Sequence, residues 1–307
     1  RGEQWAMPRR KRAYLVVALL AFVMLVFAVG QIIGTQSLKP LNPKPDYQPL
    51  QEEVAKFTAT LPGTYGIYLK DLASGEEFGI NEKTPIPPAS TIKLPVVLYL
   101  YEQVAAGKLD WRDRVSYNKN TDYQGGAGDL QYVARHGDSY SLRCLATISI
   151  TLSDNVAHNM LVRHLGYDNV MAFIKKLGPD TTRPFGSAST TAKDMGAFVE
   201  EAYRFAERNP GQGGRFLNDL AHTVYHVGLP GELPPELVIP HKEGSIIGVA
   251  TDAGIVFSKR PYILVILSEG ITDEDTGFKN IAKISRIIYD HQQKLPEAKN
   301  LKLPDLE

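Results

Sequence analysis

Pro87-Pro88-Ala89-Ser90-Thr91-Ile92-Lys93-Leu94-Pro95-Val96-Val97-Leu98-Tyr99-Leu100 is the stretch around which the rest of the chain is organised. It opens as loop and continues as an apolar helix. Ser90 sits at the turn into that helix and Lys93 lies three residues on, so the two share a helical face. A serine hydroxyl is a poor nucleophile until a neighbouring base takes its proton. A lysine sunk in an apolar helix start suits that task, because desolvation disfavours its charged form. Backbone N–H groups at a helix start also offer a place for an oxyanion. The plainer reading of Ser90 is an N-cap. Ser-x-x-Lys is expected about once by chance in a chain of this length, and here it occurs twice. The second copy, Ser116-Tyr117-Asn118-Lys119, lies in a polar stretch with no apolar helix after it and reads as loop.

The 307 residues leave room for a membrane segment and one or two globular units. Lys and Arg number 34, matched by 34 Asp and Glu, so the balance of charge gives no reason to expect nucleic acid. The single cysteine, Cys144, rules out an intrachain disulfide and, in the apolar run Leu142 to Ile150, reads as a buried small hydrophobe. His222 and His226 have the spacing of a helical metal pair, but the intervening Thr-Val-Tyr lacks the Glu of the metalloprotease signature. They read as structural or surface residues, and neither a metal nor a cofactor is expected.

Residues 1–12 form a basic tail ending in Arg9-Arg10-Lys11-Arg12. Residues 13–34 follow it, free of charge and almost entirely apolar. That length is close to the roughly 20 residues a bilayer core requires, and the basic residues before it put the N-terminus in the cytoplasm and the remainder outside. A cleaved signal peptide would have an apolar core of about 7–15 residues and a small-x-small site. Only Ala28-Val29-Gly30 resembles such a site, so an uncleaved single-pass membrane anchor is expected. Pro40, Pro43, Pro45 and Pro49 make 35–50 a semi-extended linker. A globular domain is expected over 51–295, with 296–307 as a tail.

Within the domain, 51–60 reads as a short helix. Tyr65 to Leu72 and Glu76 to Ile80 read as a hairpin turned by Ala73-Ser74-Gly75. Asp110 to Asp138 is a polar excursion. Its cluster Gly125-Gly126-Ala127-Gly128 lacks the spacing and preceding strand of a phosphate loop. Helices are expected from Ser141 to the segment Thr151-Leu152-Ser153-Asp154-Asn155, onward to about His164, from Asp168 to Leu177, and from Thr191 to Arg208. The period then changes. Leu237 to Ile247, Ala250 to Phe257 and Tyr262 to Leu267 read as strands, and Gly277 to Gln293 as a closing helix. The class is α/β (α+β). One five-stranded antiparallel sheet is flanked by the terminal helices, forming a sheet lobe of 51–88 and 237–295. An all-helical lobe covers 89–236, and the site lies between the two.

Ser90-x-x-Lys93, then Ser153-Asp154-Asn155, then Lys242-Glu243-Gly244 follow the order of the serine β-lactamases and penicillin-binding proteins. Lys176-Leu177-Gly178 also fits the last pattern but ends a helix, whereas Lys242 lies in an expected strand. Residues 51–293 resemble the class A β-lactamases. The resemblance implies a β-lactamase/transpeptidase-like fold and a set of roles. Ser90 attacks a carbonyl and becomes acylated, Lys93 accepts its proton, and Ser153 passes a proton to the leaving nitrogen, assisted by Lys242. Asn155 orients the substrate amide, Lys242 and Ser245 meet the substrate carboxylate beside Gly244, and the N–H groups of Ser90 and Ser245 form the oxyanion hole.

Two departures stand out. Glu243 replaces the usual Thr or Ser, and regular alternation would turn it away from the cleft. The class A deacylating Glu has no counterpart between Gly178 and Thr191, where Asp180 is the one carboxylate. The resemblance thus implies a serine hydrolase working on β-lactams or related amides with slow deacylation; together with the anchor, a monomeric, extracytoplasmic domain at the cell membrane is expected. A peptidoglycan stem-peptide peptidase, amidase or esterase stays open. So does a penicillin-recognising wall-binding or sensor module that acylates without turning over.

Overall fold

The computed structural model describes Arg10, Met24, residues 41–179, residues 181–301 and Pro304. The expected anchor, Met24 apart, and Asp180 lie outside the described residues. No helix among the described residues is long and apolar enough to cross a membrane. The chain divides into residues 1–43, in which Arg10 and Met24 are helical, and residues 44–307, which carry everything below.

Five strands form one sheet: β1 (Thr64–Asp71), β2 (Glu77–Ile80), β5 (His241–Ile246), β6 (Val249–Val256) and β7 (Tyr262–Glu269). Their order is β2-β1-β7-β6-β5, every neighbour antiparallel. The expected sheet is therefore the one observed. The central strands β6 and β7 carry apolar side chains on both faces, so each face takes a helical layer. On one face Ile263, Val265 and Leu267 join Phe198 and Val199 of a long helix, Ala192–Arg208. On the other, Leu264 and Ile266 pack against Leu50 and Val54 of α1 (Gln48–Thr58) and against Ile281, Ile284 and Ile288 of the closing helix Glu274–Gln292.

The helical lobe is built round α2 (Lys93–Ala105), whose Leu94, Val96, Val97, Leu98, Leu100 and Tyr101 are all buried. A hairpin of β3 (Arg114–Ser116) and β4 (Ser139–Ser141) encloses two single-turn helices, α3 (Lys119–Asp122) and α4 (Leu130–Val133). Then come α5 (Leu142–Thr151), α6 (Asn155–Leu165), α7 (Tyr167–Lys176), α8 (Ala192–Arg208) and α9 (Pro210–Ala221); the closing helix Glu274–Gln292 is α10. Ser141 caps α5 by accepting from the Cys144 N–H, and Thr191 caps α8 by accepting from the Asp194 N–H. One polar knot ties three helices together. Arg143 grips both oxygens of Asp219 at 2.7 and 2.8 Å, the Tyr101 hydroxyl donates to the same carboxylate at 2.7 Å, and the guanidinium lies 5.7 Å from the Trp111 ring.

Four expectations need correcting. The linker stops short of Leu50, because Tyr47 is buried and donates to Gln292 Oε1 at 3.0 Å, and α1 begins at Gln48 with Pro49 in its first turn. The last-but-two strand starts at His241, with only an isolated bridge, Val238 to Phe257, ahead of it. Helix α9 went unread, since Pro210 and three nearby glycines look like breakers although Pro opens the helix. Cys144 faces solvent from α5 and is not buried. His222 and His226 are exposed and share no helix, His222 standing at the end of α9.

Candidate active site

The loop Pro87–Pro88 delivers a 3-10 turn, Ala89–Ile92, that runs directly into α2. Ala89 holds φ at +47°, in the left-handed region that L residues avoid. Lys93 then enters α2 with 2 % of its surface exposed. Its Nζ lies 3.0 Å from Ser90 Oγ, 2.5 Å from the Ser153 carbonyl oxygen, 3.2 Å from Ser153 Oγ and 2.7 Å from Asn155 Oδ1. Burial, followed by the nearby Lys242 cation, lowers the Lys93 pKa to about 7. The amine is therefore partly free at neutral pH. A neutral amine has two N–H donors and one lone pair. The Ser153 carbonyl and Asn155 Oδ1 take the donors, which leaves the lone pair for the Ser90 hydroxyl proton. Spacing, burial and hydrogen-bond count thus leave Lys93 able to take a proton from Ser90.

Ser153-Asp154-Asn155 links α5 to α6. Ser153 also sits in the left-handed region, φ +54°, which turns its carbonyl toward Lys93. Asp154 caps α6 by accepting from the Ala157 N–H at 2.8 Å, and its other oxygen accepts from the Leu130 N–H at 2.9 Å. The glycine cluster that reads as a featureless loop wraps this corner. The Asn155 N–H donates to the Ala127 carbonyl, and Asn155 Nδ2 donates to the Gly125 carbonyl at 2.9 Å. Gly128, at φ +92°, lies so close that a Cβ would stand 2.3 Å from the Asp154 carboxylate. Nothing local marks these glycines; their partners are some 30 residues away in sequence.

Strand β5 closes the site from the other side. A Cβ on Gly244 would come within 2.4 Å of the Ser90 N–H nitrogen, so only glycine lets the strand lie against the turn. Thr251 on β6, which the sequence did not mark, joins the two segments. Its hydroxyl lies 3.0 Å from the Pro88 carbonyl and 3.1 Å from the Gly244 carbonyl. Ser90, Ser153, Gly244 and Ser245 line one cleft of about 500 Å³ together with Gly126, Ala127, Tyr225 and Val227.

One expectation for β5 fails. Glu243 does not turn away: it lines the cleft, and its carboxylate folds back onto the neighbouring Lys242. Lys242 Nζ is 2.5 Å from Glu243 Oε1 and 2.9 Å from the Glu243 carbonyl, and the Thr223 hydroxyl donates to Glu243 Oε2 at 3.1 Å. Alternation fixes where Cβ points, but a three-carbon side chain on an edge strand can still curl toward an adjacent cation. Ser245 Oγ donates to Glu274 Oε2 at 2.9 Å.

Among the described residues that line the cleft, none comes from 178–191. That loop is fastened elsewhere. Asp194 accepts from the Thr181 N–H at 3.2 Å and from the Thr182 hydroxyl at 3.0 Å, and Thr190 pairs with Ile86. Among the described residues no cluster of histidine, cysteine and carboxylate side chains could hold a metal ion.

A serine with a desolvated amine at 3.0 Å, against which β5 lies closely at Gly244, defines a serine hydrolase of the acyl-transfer type. The chain belongs to the Beta-lactamase enzyme family, which its residues 49–292 match. It is similar to a β-lactamase of Rhodobacter capsulatus, 29% identical over 171 residues that make up 54% of each chain, so the match spans about half of that relative. It is also similar to the β-lactamase SME-1 of Serratia marcescens, 23% identical over 270 residues, 77% of this chain and 86% of that one. Among solved structures, a PBP-A mutant captured as its acyl-enzyme with penicillin G superposes with a TM-score of 0.76. It is 26% identical, and the superposition covers 82% of this chain and 99% of that one.

Proposed function

We propose that the protein acylates itself on Ser90 with β-lactams or related amides and releases the product slowly. The observation that carries this is the wiring of Lys93: fully engaged on three sides, with its lone pair left for Ser90. Ser90 Oγ gives its proton to Lys93 Nζ and bonds to the carbonyl carbon. The carbonyl oxygen becomes an oxyanion facing the N–H groups of Ser90 and Ser245. The C–N bond then breaks, and the proton returns through Ser153 Oγ, 3.2 Å from Lys93, to the departing nitrogen. Preorganised N–H donors of this kind each contribute about 3–4 kcal/mol in serine enzymes.

Hydrolysis of the resulting ester needs a base for the incoming water; none of the described residues lining the cleft comes from 178–191, and its other carboxylates, Glu274 and Asp275, stand at the start of α10, Glu274 accepting from Ser245. Glu243 is present, but both of its oxygens are held by Lys242 and Thr223. Losing a positioned base costs about 10²–10⁴-fold in rate. A stem-peptide amide or ester of the cell wall suits the same chemistry, with the charge-free run after Arg12 as a membrane anchor that leaves the domain outside the cell.

Time-resolved intact-mass spectrometry of the full chain with penicillin G tests the reading. One equivalent of adduct on Ser90 should form and persist. An adduct that never accumulates while penicillin is consumed would mean that a deacylation base exists, and no adduct with no consumption, for penicillin G and for its uncharged methyl ester alike, would overturn the acyl-transfer reading itself.

A further inference from the structure

We propose that Glu243 sets the specificity of the cleft by excluding a substrate carboxylate, so that the natural acyl donor is uncharged or cationic where it faces β5. The proposal rests on the acyl-transfer reading above. In the arrangement that the resemblance implies, Lys242 and Ser245 are the groups that receive a substrate's carboxylate. Here each already has a carboxylate of the protein. Lys242, with no exposed surface, directs two of its three protons to Glu243, and the Ser245 hydroxyl goes to Glu274.

Glu243 is itself fixed at both ends, one oxygen on Lys242 and the other on Thr223, with 4 % of its surface exposed. It is a built-in counterion rather than a mobile side chain. A threonine or serine at that position would leave Lys242 as an uncompensated cation beside a hydroxyl donor, an anion receptor. The glutamate makes the pair neutral and adds an acceptor where a donor is needed. Glu274 and Asp275 at the N-terminal end of α10 line the same cleft, and no lysine or arginine is among its described lining residues. With Lys93 partly deprotonated, the cleft presents net negative charge. An incoming carboxylate meets like charge and finds its donors taken, which is how interfaces reject wrong partners. Tyr225, Val227 and Phe278 supply apolar wall for an ester, amide or aminoalkyl group in its place.

The test uses matched acyl donors on the full chain: penicillin G, its methyl ester and its 2-aminoethyl amide, with the rate of Ser90 adduct formation read by intact mass. The wild type should acylate with the ester and the amide at least as fast as with the acid. Glu243→Thr should raise the acid's rate about tenfold or more, the scale of one relieved like-charge contact, while the ester's rate stays within a few-fold. The ester thereby reports whether the variant is folded, and Glu243→Gln, of nearly the same shape, should shift the acid-to-ester ratio in the same direction. A wild type that prefers the acid by about tenfold, or a ratio unmoved by both variants, overturns the proposal while Ser90 acylation stands. Absence of any Ser90 adduct with all three donors overturns the acyl-transfer reading and this inference together.

Discussion

Two Ser-x-x-Lys tetrads lie 26 positions apart, and their surroundings separate them completely. In the first, Ser90 sits in a 3-10 turn and Lys93 enters a helix buried on nearly every side. In the second, Ser116 ends a three-residue edge strand, Asn118 caps a single turn by accepting from the Asn120 N–H at 3.1 Å, and Ser116 and Lys119 both face water. The Ser116 carbonyl is occupied by Arg163 at 2.7 Å, a structural contact. Spacing is therefore not what makes such a pair chemical. A hydrated lysine stays charged and has no lone pair to offer, whereas a desolvated one does.

The largest expected effect breaks the comparison outright. Ser90→Ala should abolish covalent labelling by a fluorescent penicillin, and Ser116→Ala should leave labelling at the wild-type level; gel fluorescence reads both. Labelling that survives Ser90→Ala would move the nucleophile elsewhere.

The next effect concerns pH. Only unprotonated Lys93 can accept the Ser90 proton, and its pKa of about 7 means that this form disappears as pH falls below that value. The acylation rate should be flat above about pH 8 and drop roughly tenfold per unit well below pH 7. Lys93→Met should remove that ascending limb and lower the rate about 10²–10⁴-fold. Stopped-flow acylation by a chromogenic cephalosporin between pH 5 and 9 checks it, and a limb that persists in Lys93→Met would assign the titration to another group.

The smallest effect concerns backbone. The first tetrad follows Ala89 at φ +47°, while the second follows Val115, which carries no such strain. Ala89→Gly should relieve about 1 kcal/mol and raise the melting temperature by a few degrees, a shift visible by calorimetry. An unchanged or lower melting temperature would mean that the left-handed turn carries no cost there.

The large pieces of the fold were legible because they rest on local signals: alternation in β1, the continuous apolar run of β7, the Ser141 and Thr191 caps, and the apolar face of α10. Ser90, Lys93, Ser153 and Asn155 were legible as a constellation and meet within hydrogen-bond distance. What the sequence did not reveal depends on partners far along the chain. Gly128 needs Asp154 beside it to have a reason to be glycine, and Thr251 needs Pro88 and Gly244. Glu243 was misread because alternation places a backbone, not the end of a flexible side chain. Helix α9 was missed because Pro210 marks a start as readily as a stop.

The hydrogen bond from Thr251 to Pro88 spans 163 residues, and this has a consequence during synthesis. The half of the site that holds the nucleophile leaves the ribosome long before the strand that braces it. Non-local pairings of this kind form late, after the entropy of a long loop has been overcome. A nascent or clipped chain lacking β5 and β6 keeps Ser90 and Lys93 but has neither the Ser245 N–H nor the Thr251 brace. On the proposed mechanism, reactivity at Ser90 therefore waits for residues 241–256, and a chain that stalls before them holds half of the site.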